Sequence, residues 1–167
     1  MSSNVSGSSS YGETAGRSGT TTGRTPVQLG ALVVGVVFVL VGALGFVPGI
    51  TSNYSDLSFM GHDSTAKLLG LFQVSVLHNF VHLLYGVAGI VAARTATASK
   101  GYLIGGGIIY LVLWIYGLII DPMSGANFVP LNTADNWLHL GLGLGMIALG
   151  LILAGHRRRS DTSASNR

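Results

Sequence analysis

The sequence predicts an all-α membrane protein of four transmembrane helices, packed in a bundle as two pseudo-repeated helical hairpins. Three observations carry this expectation. Hydrophobic residues make up 49% of the 167-residue chain and charged residues only 9%, against roughly 25% charged in a typical soluble domain. A water-soluble chain could not cover its surface with so few charges, and the mean hydropathy of +0.56 agrees, so the apolar surface must face lipid. The apolar residues are also gathered into four runs of about twenty residues, each long enough at 1.5 Å per residue to cross roughly 30 Å of hydrocarbon. Two of these runs carry a matching polar pattern. None alternates as the short strands of a closed barrel must, and in lipid a helix satisfies its own backbone.

Residues 1–26 are Ser, Thr and Gly with scattered charges, too poor in apolar side chains to offset ordering entropy, and are expected as a disordered cytoplasmic tail. The stretch is too long and polar for the start of a signal peptide, and no small-x-small pattern closes the run after it, so no removal is expected. The transmembrane domain is expected over residues 27–155. Helix one covers residues 27–47 and ends at Pro48-Gly49; a polar connection with Asp56, His62 and Asp63 follows. Helix two covers residues 68–93, interrupted by Gln73, His78, Asn79 and His82, and its preferred reading continues through Ala98 while Arg94 snorkels to the interface. Helix three covers residues 102–120 and ends at Asp121-Pro122. Helix four covers residues 136–155 with Asp135 or Thr133 as its cap. A basic tail, residues 156–167, opens with His156-Arg157-Arg158-Arg159.

Basic residues give the orientation. Arg17 and Arg24 precede helix one, Arg94 and Lys100 separate helices two and three, and Arg157 to Arg159 follow helix four, with Lys67 alone on the other side. The positive-inside rule then places both termini in the cytoplasm of a plasma (inner) membrane protein whose first partner is the lipid bilayer. The net charge of +3 forms no basic face, so nucleic-acid binding is not expected. The absence of cysteine excludes disulfides, thiolate metal sites, iron–sulfur clusters and cysteine nucleophiles.

Helices two and four share a polar centre. Asn79-Phe80-Val81-His82-Leu83 is followed by Gly86 and Ile90, and Asn136-Trp137-Leu138-His139-Leu140 by Gly143 and Ile147 at the same offsets. Both copies run the same way through the membrane, which suggests two hairpins related by a pseudo-two-fold axis along the membrane normal. Helices one and three match less well, sharing mainly their proline exits. Within each copy the Asn and His, three residues apart, lie on one helix face. Against lipid tails such groups are unfavourable, so they point into the bundle or sit near the headgroups. The plain reading is interhelical polar contact by Asn79, His82, Asn136 and His139, worth about a kcal/mol each. The sharper reading is a metal or haem site built from His78, His82 and His139, since His78 and His82 have the i, i+4 spacing of paired ligands. No carboxylate is expected beside that cluster, and no cofactor is expected on the plain reading.

Other features read as packing or anchoring. Gly101 with Gly105, and Gly141 with Gly145, have small-residue spacing and are expected as close-packing sites between helices, with homodimerisation a lesser use. Gly105-Gly106-Gly107 lacks the strand and Lys-Ser/Thr of a phosphate loop. Tyr102, Trp114, Tyr116 and Trp137 fall toward helix ends, as interfacial anchors do.

At the stretches His78-Asn79-Phe80-Val81-His82 through Gly86, Tyr110, and Asp135-Asn136-Trp137-Leu138-His139, the chain resembles the domain of unknown function 4383 family over residues 27–155. The resemblance implies a small four-helix inner-membrane protein of the kind common in high-GC Gram-positive bacteria. It implies no activity. The expected function is a non-catalytic structural or accessory membrane component that packs with itself, as a homo-oligomer, or with a membrane-protein partner. The alternatives are a haem- or metal-binding redox protein using the histidines, and a small transporter or channel, which four short helices could form only as an oligomer. A hydrolase or transferase is not expected, because no paired carboxylates or activated nucleophile can be assembled.

Overall fold

The structure, a computed structural model, describes residues 23–61, 63–121 and 123–164, with side chains as far as residue 155. The expected N-terminal tail lies outside the described residues up to residue 22, as do the side chains of Arg157, Arg158 and Arg159. Four helices run in order: α1 (Pro26–Leu44), α2 (Val76–Ala92), α3 (Ala96–Ile119) and α4 (Thr133–Ala164). Between α1 and α2 lies a small antiparallel sheet of β1 (Thr51–Ser52), β2 (Lys67–Leu68) and β3 (Phe72–Gln73), joined in that order. Three helices are long and apolar enough to cross a membrane: Pro26–Leu44, Ala96–Ile119 and Thr133–Gly155 of α4. The fourth, α2, is apolar but only 17 residues long.

Helix α1 starts where Pro26 fills its first turn, and the Gln28 side chain accepts from the Thr25 backbone N–H at 2.9 Å. The same amide donates to the carbonyls of Ala93 and Arg94 at 3.1 and 2.9 Å. These are orphan acceptors at the end of α2, so one glutamine joins two helix ends. At this end α2 stops at Ala92 and does not continue through Ala98. Thr95 caps α3 by accepting from Ala98 N at 3.2 Å, and Ser99 Oγ donates to Ala92 O at 3.1 Å. A threonine cap beside a second hydroxyl turns the chain more favourably than a continued helix would.

At the opposite end the chain builds a folded cap. Residues 68–75, expected as the first turns of helix two, form a strand pair and a turn instead. Leu68 pairs with Phe72 and Lys67 with Gln73, and the turn holds Leu69 at φ 53° and Gly70 at φ 72°. A short apolar run is compatible with a buried strand or a buried helix. Ser75 decides it, because its hydroxyl accepts from His78 N at 3.1 Å and starts α2 at Val76. Ala66, Leu68 and Val74 then form a small core against Val41 and Leu44 of α1.

The loop from α3 to α4 completes the cap. Gly61 N donates to Phe128 O at 2.8 Å, and Asn132 Nδ2 donates to Leu71 O at 2.8 Å. Helix α4 begins at Thr133, so its cap is Asn132, whose Oδ1 accepts from Asp135 N at 3.0 Å. Asp135 returns the bond, accepting from Asn132 N at 3.0 Å, and also accepts from Gln73 N of β3 at 3.1 Å. Neither Asp135 nor Thr133 is the cap; Asp135 is the reciprocal partner three residues in. At its other end the α4 backbone remains helical past residue 155, to Ala164.

Helix α1 packs most extensively on α2, and α3 on α4. The buried stripe of α1 is Val27, Ala31, Gly35 and Phe38, and that of α3 is Ser99, Leu103, Gly107 and Tyr110, a constant offset of 72 residues. On α2 the buried positions His78, Asn79, Gly86 and Gly89 match Asp135, Asn136, Gly143 and Met146 of α4 at a constant offset of 57. The crossings match as well. A Cβ on Gly35 would lie 2.7 Å from the Gly86 carbonyl oxygen, and a Cβ on Gly107 would lie 2.7 Å from that of Gly143. Large apolar residues such as Leu84, Val87, Ile109, Leu118 and Ile152 face outward. Gly101, Gly105, Gly141 and Gly145, expected to pack between helices, face outward too, with nothing near an added Cβ.

Gly35→Val and Gly107→Val should each force a crossing apart, since a facing backbone carbonyl oxygen lies 2.7 Å from the new Cβ in both. The expected cost is about 1–3 kcal/mol per substitution, read as a lowered unfolding temperature in detergent, with Ala88→Val at an exposed position of α2 as the near-neutral control.

Candidate functional site: a polar cavity beneath the cap

Where the β2–β3 hairpin closes over α2 and α4 there is a cavity of about 200 Å³. Its floor holds His78, Asn79 and His82 of α2 with Asp135 and His139 of α4, and Leu68, Phe72 and Val74 form the lid. Ser75 sets the α2 side of this arrangement. By starting the helix at Val76 it puts His78 and Asn79 in the first turn, with His82 one turn below on the same face. The Asn132–Asp135 bonds set the α4 side, with Asp135 in the first turn and His139 one turn below. His78, Asn79, Asp135 and His139 are buried, and His82 is half-buried.

The rings are arranged in pairs. His78 and His82 stack with centroids 4.5 Å apart and planes 13° apart. His82 Nδ1 lies 2.9 Å from the His78 carbonyl oxygen; that oxygen can only accept, so Nδ1 carries the proton and Nε2 keeps a lone pair. Phe38 of α1 lies 5.4 Å from the His82 ring, and Tyr110 of α3 lies 5.3 Å from the His139 ring. Phe38 and Tyr110 stack on each other at 5.5 Å. Each hairpin thus presents a histidine backed by an aromatic ring, and the two backing rings meet at the centre of the bundle.

Several polar atoms here have no hydrogen-bond partner among the described residues: His78 Nδ1, Asn79 Nδ2 and His139 Nδ1. The carbonyl of Pro130 lies close enough to the His78 ring to accept from one of its nitrogens. Such orphaned groups cost about 1–3 kcal/mol each when buried.

The three histidines proposed as ligands do line one cavity. Among the described residues, however, no group of three or more His, Asp or Glu side chains is placed to hold a metal ion. The geometry gives the reason. Ligand lone pairs lie in the ring planes, so two nearly parallel stacked rings aim past a common point, and His82 Nδ1 is already held by its own helix. The asparagines divide: Asn79 lies at the cavity, whereas Asn136 lines a separate recess with Gly117 and Trp137. Both meet a glycine of the neighbouring helix in close contact, Asn79 at Gly45 and Asn136 at Gly117, again 72 residues apart on the glycine side and 57 on the asparagine side.

Two participants were not legible as site residues. Asp135, expected only as a cap, brings a carboxyl group to the histidines where none was expected. Its alignment with His78 in the repeat was the available signal. Phe38 sits in an all-apolar run and became recognisable only through its counterpart, Tyr110.

No curated protein and no solved structure is detectably similar to this chain. A family model, the domain of unknown function DUF4383, matches residues 28–152. That span contains nearly all of α1, with α2, α3, the cap and all five polar residues of the cavity floor, and on this match the chain belongs to the DUF4383 family.

Proposed function

We propose that this protein is a non-catalytic structural or accessory component of the plasma membrane, with four spans and both termini in the cytoplasm. Its core is two hairpins, α1–α2 and α3–α4, related by a pseudo-two-fold axis along the membrane normal. The constant offsets of 72 and 57 residues between their buried stripes support that symmetry. Helix α2 is the short span, and at 1.5 Å per residue it covers about 25 Å of the hydrocarbon core. The observation that carries the accessory role is the outward placement of Gly101, Gly105, Gly141 and Gly145. The bundle uses other glycines for its own crossings, so these small faces are left for a neighbouring helix, of a second copy or of another membrane protein.

Charge supports the orientation. Arg24 and Arg94 border one recess at the end of the bundle opposite the cap, on the side the positive-inside rule assigns to the cytoplasm. Because the chain has no cysteine, single introduced thiols report topology directly. Ser55→Cys, in the cap, should react with a membrane-impermeant maleimide added to intact cells, and Thr97→Cys should react only after permeabilisation. The reverse labelling would invert the topology.

Self-association is tested with Gly105→Leu plus Gly145→Leu. The wild type should sediment as an oligomer in mild detergent and the double variant as a monomer with an unchanged unfolding temperature. A wild type that is already monomeric and gains no partner by crosslinking in the membrane would remove the accessory reading.

One alternative, a haem- or metal-binding redox protein using His78, His82 and His139, has only their shared cavity in its favour. For that reading, purified wild type should carry a haem absorption band or stoichiometric metal that His82→Ala plus His139→Ala loses; the accessory reading expects a clean spectrum from both.

A further inference from the structure

The cavity beneath the cap combines an apolar chamber with an unfinished hydrogen-bond set. At about 200 Å³ it exceeds the roughly 150 Å³ of an aliphatic-lined protein cavity known to hold benzene. Its walls and lid are largely aliphatic or aromatic, among them Val41, Leu68, Phe72, Val74 and Leu142. His78, Asn79 and His139 line its floor, and each has a buried polar atom without a partner: His78 Nδ1, Asn79 Nδ2 and His139 Nδ1. The residues bearing them are 7%, 2% and 5% exposed.

We propose that this cavity is a binding site for a small neutral ring alcohol, a molecule the size and character of a phenol. The match is one of donors and acceptors. Asn79 Nδ2 is a donor, so the ligand must offer an acceptor. His78 Nδ1 accepts in one neutral tautomer of its ring, and the ligand must then offer a donor. A hydroxyl oxygen supplies both at once, donating its proton to an imidazole nitrogen while accepting from the amide. His139 Nδ1 serves as a second contact whose proton follows the tautomer the ligand selects. The ring fills the apolar part of the chamber, which water would leave without good contacts. A pure hydrocarbon would fit the walls and leave all three polar atoms orphaned. An anion is disfavoured, because no Lys or Arg lines the cavity and the Asp135 carboxyl does.

Such a ring can arrive free from water or as the head of a phenolic lipid dissolved in the bilayer. The experiment separates the two by adding phenol, benzene and 4-octylphenol to full-length protein in detergent, with the histidine ring nitrogens labelled for NMR. Phenol should shift the ring signals of His78 and His139 saturably, with benzene at least tenfold weaker. Binding of 4-octylphenol as tight as or tighter than phenol assigns the lipid source; binding of phenol alone assigns the free one. Leu142→Phe, which fills the chamber, should lose phenol binding while keeping its unfolding temperature. Asn79→Leu should erase the preference for phenol over benzene.

Equal responses to phenol and benzene in the wild type would overturn the proposal, as would no response to either phenol or 4-octylphenol. So would phenol binding that survives in Leu142→Phe. If Asn79→Leu fails to fold, the benzene comparison and Leu142→Phe still decide the matter. The accessory role stands or falls separately, on sedimentation and crosslinking.

Discussion

The bundle depends on two backbone-to-backbone crossings, Gly35 on Gly86 and Gly107 on Gly143. Inside a bilayer there is little hydrophobic gain from bringing helices together, because lipid tails are as apolar as leucine. Close van der Waals contact must supply the difference. Only glycine lets two helix backbones approach this far, so the crossings fix each hairpin's depth and tilt. Everything nearer the cap follows from that registration. Asn79 fits against Gly45, Asn136 against Gly117, and Phe38 and Tyr110 come face to face between the two histidines.

The cap is a second constraint of a different kind. It is held mainly by directed hydrogen bonds to backbone groups, and Asp135 is its junction, receiving N–H groups from the loop before α4 and from β3. Each bond satisfies a backbone N–H that the fold would otherwise leave unpaired. The consequence is a lid seated on the polar floor. Without the hairpin, His78 and Asn79 would meet solvent or headgroups at the end of a short helix; with it, they are enclosed. The same residues that close α4 locally therefore also create the chamber.

The site is asymmetric although the buried stripes of the two helix pairs align at constant offsets. The two hairpins put His82 and His139 at equivalent positions, each backed by an aromatic ring, but the preceding buried position is His78 in one copy and Asp135 in the other. Among the described residues, the sheet lies in the connection between α1 and α2. Aligned positions therefore carry different side chains, so that α2 brings a second imidazole where α4 brings the carboxyl group that anchors the lid.

Composition and run length by themselves determined the class of this protein, four apolar helices with a polar centre on the second and fourth. That follows because lipid admits few backbone solutions and leaves the side-chain pattern to announce them. The Asn-x-x-His repeat was likewise legible, since polar residues stand out against an apolar run. The symmetry of α1 and α3 was not, because glycine and aliphatic positions are interchangeable in a hydropathy reading and acquire identity only when a neighbouring backbone arrives. Three things were decided by tertiary structure alone. Residues 68–75 became strand and turn, through the Ser75 cap and the sheet pairing that apolar composition could not distinguish from helix. Asp135 joined the histidines beneath a lid because strand β3, 62 residues away in sequence, folds over it. Gly101, Gly105, Gly141 and Gly145 turned outward, since which face of a glycine-rich helix is buried depends on where its partner crosses, and one helix's sequence carries no record of that.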